Sequence, residues 1–111
     1  MIRCIHLWTG DDGQSHFEET ALPLDVVQSA HAVRFAETPA SSALDWHTAP
    51  QEQYVITLTG TLEFTTRESE RFVLHPGDVL WAADTTGGGH RWRLIDDQPW
   101  RRVYVELGPA K

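Results

Sequence analysis

The chain has 111 residues, a length that fits one domain and leaves little room for a second. Hydrophobic residues make up 41% of it and charged residues 23%, which is the composition of an ordinary globular protein. The formal net charge of −7 and the lack of a basic run argue against nucleic-acid binding, because an acidic surface repels phosphate backbones.

The cysteine count and the apolar runs narrow the class of protein further. Cys4 is the single cysteine, which excludes an internal disulfide and a cysteine-based zinc cluster. The first residues lack the long apolar core of a signal peptide, and no run of the sequence has the length needed to cross a bilayer. The sequence therefore predicts a cytoplasmic protein without a membrane partner.

Short strand patterns separated by turn residues follow one another along the chain. The predicted strands cover residues 2–8, 31–37, 54–59, 61–65, 71–74, 78–83, 90–95 and 101–107. Only residues 24–30 have a spacing compatible with a short helix. Strands at roughly ten-residue spacing, with turn residues between them, predict an all-β sandwich or barrel.

Alternation along the strands indicates which side chains face the interior. Arg91 and Arg93 favour solvent, which turns His90 and Trp92 inward on the same strand. The same argument gives four inward-facing candidates: His47, Gln53, His90 and Trp92.

Two segments of the sequence resemble the motifs of the small single-domain cupins. In the first, residues 45–60, His47 matches the first histidine of the cupin motif, Gln53 stands in the position of its glutamate and Gly60 matches its glycine. In the second, residues 76–90, the turn Pro76-Gly77-Asp78 is followed by His90. The resemblance implies an all-β cupin-type double-stranded β-helix (a jelly-roll barrel) formed by a single domain over residues 1–111.

The resemblance also implies a metal site, although this sequence departs from the full ligand set. A complete cupin site has three histidines and one glutamate, which suit a divalent transition metal such as Fe, Mn, Ni, Cu or Zn. Here one histidine of the first motif is missing, and the implied metal ligands are His47, Gln53 and His90. A neutral amide leaves the charge of the metal uncompensated, so we expect weaker binding.

Several other residues are candidates for the site. The sequence leaves open whether His31, Glu52 or Asp84 completes the metal shell. The residues predicted to line a substrate pocket are Trp46, Trp81, Trp92, Val55, Thr57 and His31. Four arginines crowd one C-terminal segment, and we interpret them as a solvated strand face paired with carboxylates, with a site for anionic substrates as the alternative: Arg91, Arg93, Arg101 and Arg102.

Three functions are compatible with these residues. The resemblance implies that the chain binds a small oxygenated organic molecule, through a divalent metal in a dioxygenase-like site or by metal-free acid–base chemistry as in an isomerase. His47 and His90 are the candidate catalytic residues in both cases. The third function is non-catalytic binding by a small-molecule or accessory protein with a degenerate metal site. Cupins commonly associate through sheet edges or strand exchange, so we also predict a homodimer.

Overall fold

The structure is a computed structural model that describes residues 1–108. Over these residues the chain forms ten β-strands joined by turns and loops. Residues 109–111 of the predicted domain lie outside the described residues. The strands are β1 (Arg3–Thr9), β2 (Ser15–Ala21), β3 (Ala32–Thr38), β4 (Ala43–His47), β5 (Gln53–Thr59), β6 (Leu62–Thr66), β7 (Arg71–Leu74), β8 (Val79–Ala83), β9 (His90–Leu94) and β10 (Trp100–Glu106). No helix occurs among these residues, which confirms the all-β prediction.

The strands form two sheets. The six-stranded sheet has the order β2-β1-β8-β5-β10-β3, and the four-stranded sheet has the order β4-β9-β6-β7. All neighbouring strands are antiparallel except β1 and β8, which pair in parallel. This arrangement agrees with a jelly-roll barrel, in which two sheets enclose one interior.

The inward-facing side chains of the two sheets form one hydrophobic core. Trp100 of the six-stranded sheet contacts Trp92 of the four-stranded sheet with ring centroids 4.8 Å apart. Phe64 stacks on Phe72 at 4.9 Å within the four-stranded sheet. The predicted alternation holds along β9, where His90, Trp92 and Leu94 are buried and the arginines between them are exposed. Aromatic rings therefore close the interior from both sides.

The sequence did not predict β2 or β4 as strands, and the helix considered for residues 24–30 is wrong. The strand β2 is a polar edge strand with the sequence SHFEETA, so its hydrophobic alternation is weak. Because β2 and β3 lie at opposite edges of one sheet, residues 22–31 have to cross its outer surface. Gln28 accepts a hydrogen bond of 2.7 Å from the hydroxyl of Tyr54 on that crossing. The segment is therefore an irregular connection instead of a helix.

No helix long and apolar enough to cross a bilayer exists within residues 1–108.

Candidate functional site

The structure brings the two candidate histidines together on neighbouring strands. His47, the last residue of β4, is the register partner of His90, the first residue of β9. Their ring centroids are 4.4 Å apart, and the rings meet edge to face at 62°. His90 is 4% exposed, and His47 is partly buried. The pairing of the two strands thus places both imidazoles in one corner of the barrel.

Glycine residues allow the backbone to approach this corner closely. Gly89 has a φ of +74°, and a Cβ atom at this position would overlap the carbonyl oxygen of His47. Gly87 has a φ of +79°, and a Cβ atom there would overlap the carbonyl oxygen of Gly13. Only glycine combines a left-handed backbone with contacts this close. Gly89 therefore lets β9 begin directly beside the end of β4.

Hydrogen bonds fix which nitrogen of each imidazole is available. Nδ1 of His47 lies 2.8 Å from the carbonyl oxygen of Asp45, which can only accept, so this nitrogen carries a proton. Nδ1 of His90 lies 2.5 Å from Oδ2 of Asp84, a carboxylate oxygen that also accepts from the Ser15 hydroxyl at 2.6 Å. When each ring is neutral, its Nε2 therefore has a free lone pair.

Burial controls the charge of His47. Desolvation lowers the pKa of the His47 imidazole below its ordinary value, and the proximity of His90 acts in the same direction. The carbonyl of Asp45 and the charge of Asp84 oppose this shift, but burial is the largest effect. His47 is therefore neutral at neutral pH and can accept a proton or bind a metal ion.

Both imidazoles line an interior cavity of about 190 Å³. Its apolar wall consists mainly of Val55, Phe64, Leu80, Ala82, Trp92 and Trp100. Gln53, the third implied metal ligand, also lines it, but its Oε1 accepts a hydrogen bond of 3.0 Å from Nε2 of Gln51. The cavity thus combines an apolar wall with a few polar groups, as ligand sites in proteins commonly do.

A larger depression of about 400 Å³ lies on the outside of the four-stranded sheet. The charged residues lining it include Asp45, Glu63, Arg91 and Arg93, of which Arg93 already binds Glu63 at 3.0 Å. No histidine is among the described residues that line it. We therefore assign the candidate site to the interior cavity.

Some of the residues predicted to line the pocket do so. Val55 and Trp92 form part of the cavity wall. Thr57 is buried, and its hydroxyl accepts a hydrogen bond of 3.2 Å from Nε1 of Trp100, so it supports the wall from behind.

The other predicted pocket residues lie outside the cavity. Trp46 precedes His47 on β4 but does not line the cavity, and the centre of its ring lies 4.0 Å from the guanidinium carbon of Arg67. Trp81 alternates with inward-facing neighbours and stacks on His6 at 3.8 Å on the outer surface. His31 is exposed just before β3.

The three residues considered for completing the metal shell do not line the cavity either. Asp84 lies behind His90 and binds its Nδ1 instead of facing the cavity. Glu52 and His31 are exposed. The described residues around the cavity therefore include no carboxylate.

Sequence reasoning missed three polar residues that line the cavity: Arg34, Arg102 and Tyr104. The interpretation of Arg102 as part of a solvated face is wrong, since this residue is only 8% exposed. The available signal was the alternation of Trp100, Arg102 and Tyr104 with the residues between them on β10.

A second group of possible metal ligands lies at the surface. Ligand atoms of Asp12, His16 and Glu68 all lie within 4.8 Å of one another. Nε2 of His16 is 3.0 Å from both carboxylate oxygens of Asp12, which raises the pKa of the imidazole. Asp12 and His16 therefore form an ion pair when the imidazole is protonated, and the Glu68 carboxylate lies beside it.

Comparison with known proteins places the architecture among solved structures. Neither a protein-family model nor a curated protein matches the sequence. A DUF861 family protein from Thermotoga maritima is 25% identical with a TM-score of 0.55, over 66% of this chain and 76% of that one. A cupin 2 conserved barrel domain protein from Salinispora arenicola is 17% identical with a TM-score of 0.57, over 78% and 71% of the two chains.

A eukaryotic protein shows the same similarity over nearly the whole chain. The cupin domain of the Schizosaccharomyces pombe protein Cnp3 is 17% identical with a TM-score of 0.54, over 97% of this chain and 83% of that one. The two sheets, their strands and these similarities agree with the motifs found around His47 and His90. The chain folds as a small cupin-like domain with an all-β barrel.

Proposed function

We propose that this protein binds a small oxygenated organic molecule in the interior cavity, in contact with His47 and His90. One observation carries the proposal: the two imidazoles lie side by side on the wall of an apolar cavity, and each has its Nδ1 committed to another group. Hydroxyl groups of a ligand can donate to the free Nε2 lone pairs. The apolar wall then excludes water from the rest of the ligand.

The same arrangement supports acid–base chemistry on the bound molecule. A histidine that takes a proton from the ligand at Nε2 becomes an imidazolium, and the Asp84 carboxylate on Nδ1 of His90 stabilises that charge. His47 is a second proton carrier 4.4 Å away, measured between ring centroids. A proton removed at one position of the ligand can thus return at another, which is the requirement of an isomerase.

A panel of catechol, glucose and succinate tests the binding proposal. We expect at least one of these probes to shift the ring resonances of His47 and His90 in the wild-type NMR spectrum while His31 stays unchanged. Substituting His47→Gln or His90→Gln should weaken binding of that probe by at least about tenfold, or about 1.4 kcal/mol. His31→Gln is the matched control, because this histidine is exposed and outside the cavity.

Two results would contradict the proposal. One is binding of the probes without any change at His47 or His90. The other is full affinity in both histidine variants. Binding that depends on the histidines, with no turnover of any probe, would support the non-catalytic function over the isomerase.

A metal-assisted function is a second candidate, favoured by the availability of both Nε2 atoms and by the carboxylate behind His90. Carboxylates commonly orient metal-binding histidines in this way. His47 and His90 would hold a divalent transition metal such as Fe, Mn, Ni, Cu or Zn, with the Gln53 oxygen as a third donor once released from Gln51. Such an ion would supply Lewis-acid or redox chemistry to ligand oxygen atoms.

The donor set fits a weakly held ion better than a tight site. No carboxylate lines the cavity among the described residues, and two guanidinium groups add positive charge to it. Titration with Zn²⁺ and Ni²⁺ should be done in a His16→Gln background, because the surface group around His16 offers a competing set of ligands. Binding that His47→Gln and His90→Gln abolish supports the metal-assisted candidate, and binding that persists in both overturns it.

A further inference from the structure

Arg102 is a buried cation in the wall of the cavity. It occupies an inward position of β10 between Trp100 and Tyr104 and is 8% exposed. Its Nε donates to the Tyr104 hydroxyl at 3.1 Å, and its Nη1 donates to Oγ1 of Thr38 at 2.6 Å and to the carbonyl of Trp100 at 3.0 Å. The guanidinium carbon lies 3.9 Å from the centre of the Trp100 ring. The residue is held rigidly by these contacts.

The charge of Arg102 has no anionic partner among residues 1–108. All of its hydrogen-bond acceptors in this part of the chain are neutral, and its Nη2 forms no hydrogen bond there. The chain has 16 acidic residues against nine basic ones, so this is not caused by a shortage of carboxylates. A buried charge without a counterion is costly, and an arginine fork is well suited to bind a carboxylate.

A second arginine faces the same cavity. Arg34 of β3 is the register partner of Tyr104, and its guanidinium carbon lies 4.1 Å from the centre of the Tyr104 ring. The guanidinium of Arg102 is 5.5 Å from the same ring centre. The tyrosine ring thus holds two cations near each other, and Arg34 forms no ion pair with another described residue.

We propose that the ligand of this cavity is an organic anion whose carboxylate binds to Arg102 and Arg34. The inference rests on the proposed function and narrows its ligand to small carboxylic acids. The carboxylate accepts hydrogen bonds from the free Nη2 of Arg102 and from Arg34, while the remainder of the molecule extends along the apolar wall towards His47 and His90. A volume of about 190 Å³ limits the ligand to a short dicarboxylic acid or an acid with a single ring.

Paired probes that differ only in charge test this inference. Calorimetry should compare succinate with succinamide and benzoate with benzamide, with inorganic phosphate as a separate anion. We expect at least one carboxylate to bind at least about tenfold more tightly than its amide. Arg102→Gln should abolish this preference, Arg34→Gln should reduce it, and Arg91→Gln should leave it unchanged because Arg91 is exposed on the outer surface.

A measurement on the wild-type protein covers the case in which Arg102→Gln does not fold. The Nε–H resonance of Arg102 should shift with the bound carboxylate and stay in place with the amide. Equal affinity for acids and amides overturns the inference. So does the absence of carboxylate binding up to about 10 mM, or binding of phosphate alone.

The two proposals can fail separately. A neutral probe that shifts the resonances of His47 and His90 without shifting that of Arg102 overturns the carboxylate inference and leaves the proposed function standing. A carboxylate that shifts Arg102 and leaves both histidines unchanged supports the anion site and removes the histidine pair from the proposed function.

Discussion

Asp84 and His90 form a buried pair in which one carboxylate oxygen accepts hydrogen bonds from both the His90 ring and the Ser15 hydroxyl. The side chain of Asp84 is completely buried, and its other oxygen, Oδ1, has no hydrogen-bond partner among the described residues. A buried carboxylate with an unsatisfied oxygen is costly, so its position is not explained by stability alone. Its effect on the site is to hold His90 with Nδ1 protonated and Nε2 free.

Substituting Asp84→Asn should reverse the tautomer of His90. The amide can donate to Nδ1, which moves the ring proton to Nε2 and removes the lone pair from the cavity. We expect ligand or metal affinity to fall by about 10- to 100-fold. The free energy of unfolding should fall by about 1–3 kcal/mol because the hydrogen bonds are disturbed.

Ser15→Ala is the matched control for this substitution, since it removes the other hydrogen bond to Oδ2 and leaves His90 paired. It should lower stability by about 1 kcal/mol with little loss of affinity. NMR of the ring nitrogens reports the tautomer directly. An Asp84→Asn protein that keeps both the tautomer and the affinity would show that the carboxylate does not position His90.

The pH dependence of stability should show the lowered pKa of His47. The ordinary value is 6.5, and burial shifts the folded-state pKa below it. The unfolded chain therefore binds this proton more readily than the folded protein does. The contribution of His47 to the free energy of unfolding is fully present above the unfolded-state pKa. It is lost as the pH falls from the unfolded-state pKa towards the lower folded-state pKa. The slope from this one group cannot exceed about 1.4 kcal/mol per pH unit.

His16 acts in the opposite direction, because its hydrogen bond to Asp12 raises its pKa above 6.5. It stabilises the fold below the unfolded pKa, and that contribution disappears as pH rises through the raised value. NMR titration of the metal-free protein should therefore show His47 titrating below His16. In urea denaturation at several pH values, His47→Gln should lose less of its free energy of unfolding at acid pH than the wild-type protein does. An NMR titration in which His16 has the lower midpoint and His47 the higher would contradict these pKa shifts.

A homodimer remains a prediction, and the structure indicates where to test it. The first strand, β1, is paired on both sides within its own chain, whereas β3 is an edge strand with Val33 57% and Phe35 77% exposed. Leu58 on the same sheet is 53% exposed. Apolar side chains at a sheet edge favour association with a second copy.

Light scattering at micromolar protein concentration measures this prediction. We expect the mass of a dimer for the wild-type protein and that of a monomer for Phe35→Glu. Ile95→Glu is the control, because Ile95 is an exposed apolar residue outside the six-stranded sheet. A wild-type monomer, or equal effects of the two substitutions, would contradict dimerisation through this edge.

The sequence was sufficient to predict the barrel and the pairing of His47 with His90. Both rest on local signals, namely alternation of apolar residues and the glycine and proline turns, which act within a few residues of the positions they set. All eight strands that the sequence predicts lie within one residue of their predicted bounds for this reason, and they are β1, β3 and β5 to β10.

The positions of Arg34, Arg102 and Trp81 could not be predicted in the same way. Whether an inward-facing arginine meets solvent, a carboxylate or an empty cavity depends on which strand lies opposite, and β3 and β10 are more than 60 residues apart in sequence. The sequence places Trp81 in the pocket, whereas its side chain lies on the outer face of β8. A tryptophan can pack on either face of a strand. Composition alone does not decide between them.

Gly89 provides the sharpest test of how the backbone builds the site. Gly89→Ala combines a left-handed φ of +74° with an overlap between the new Cβ and the His47 carbonyl. Gly77→Ala imposes a similar conformational strain, with φ of +91°, but has nothing within 4 Å of the new Cβ. Strain of this kind costs about 1–3 kcal/mol in both variants, so any further loss of stability in Gly89→Ala comes from the contact with His47.

Urea denaturation should therefore show that Gly89→Ala is the less stable of the two variants. Only Gly89→Ala should also lose ligand affinity, because separating β4 from β9 moves His47 away from His90. Equal stability and unchanged affinity in both variants would mean that the close approach of the two strands is not required for the site.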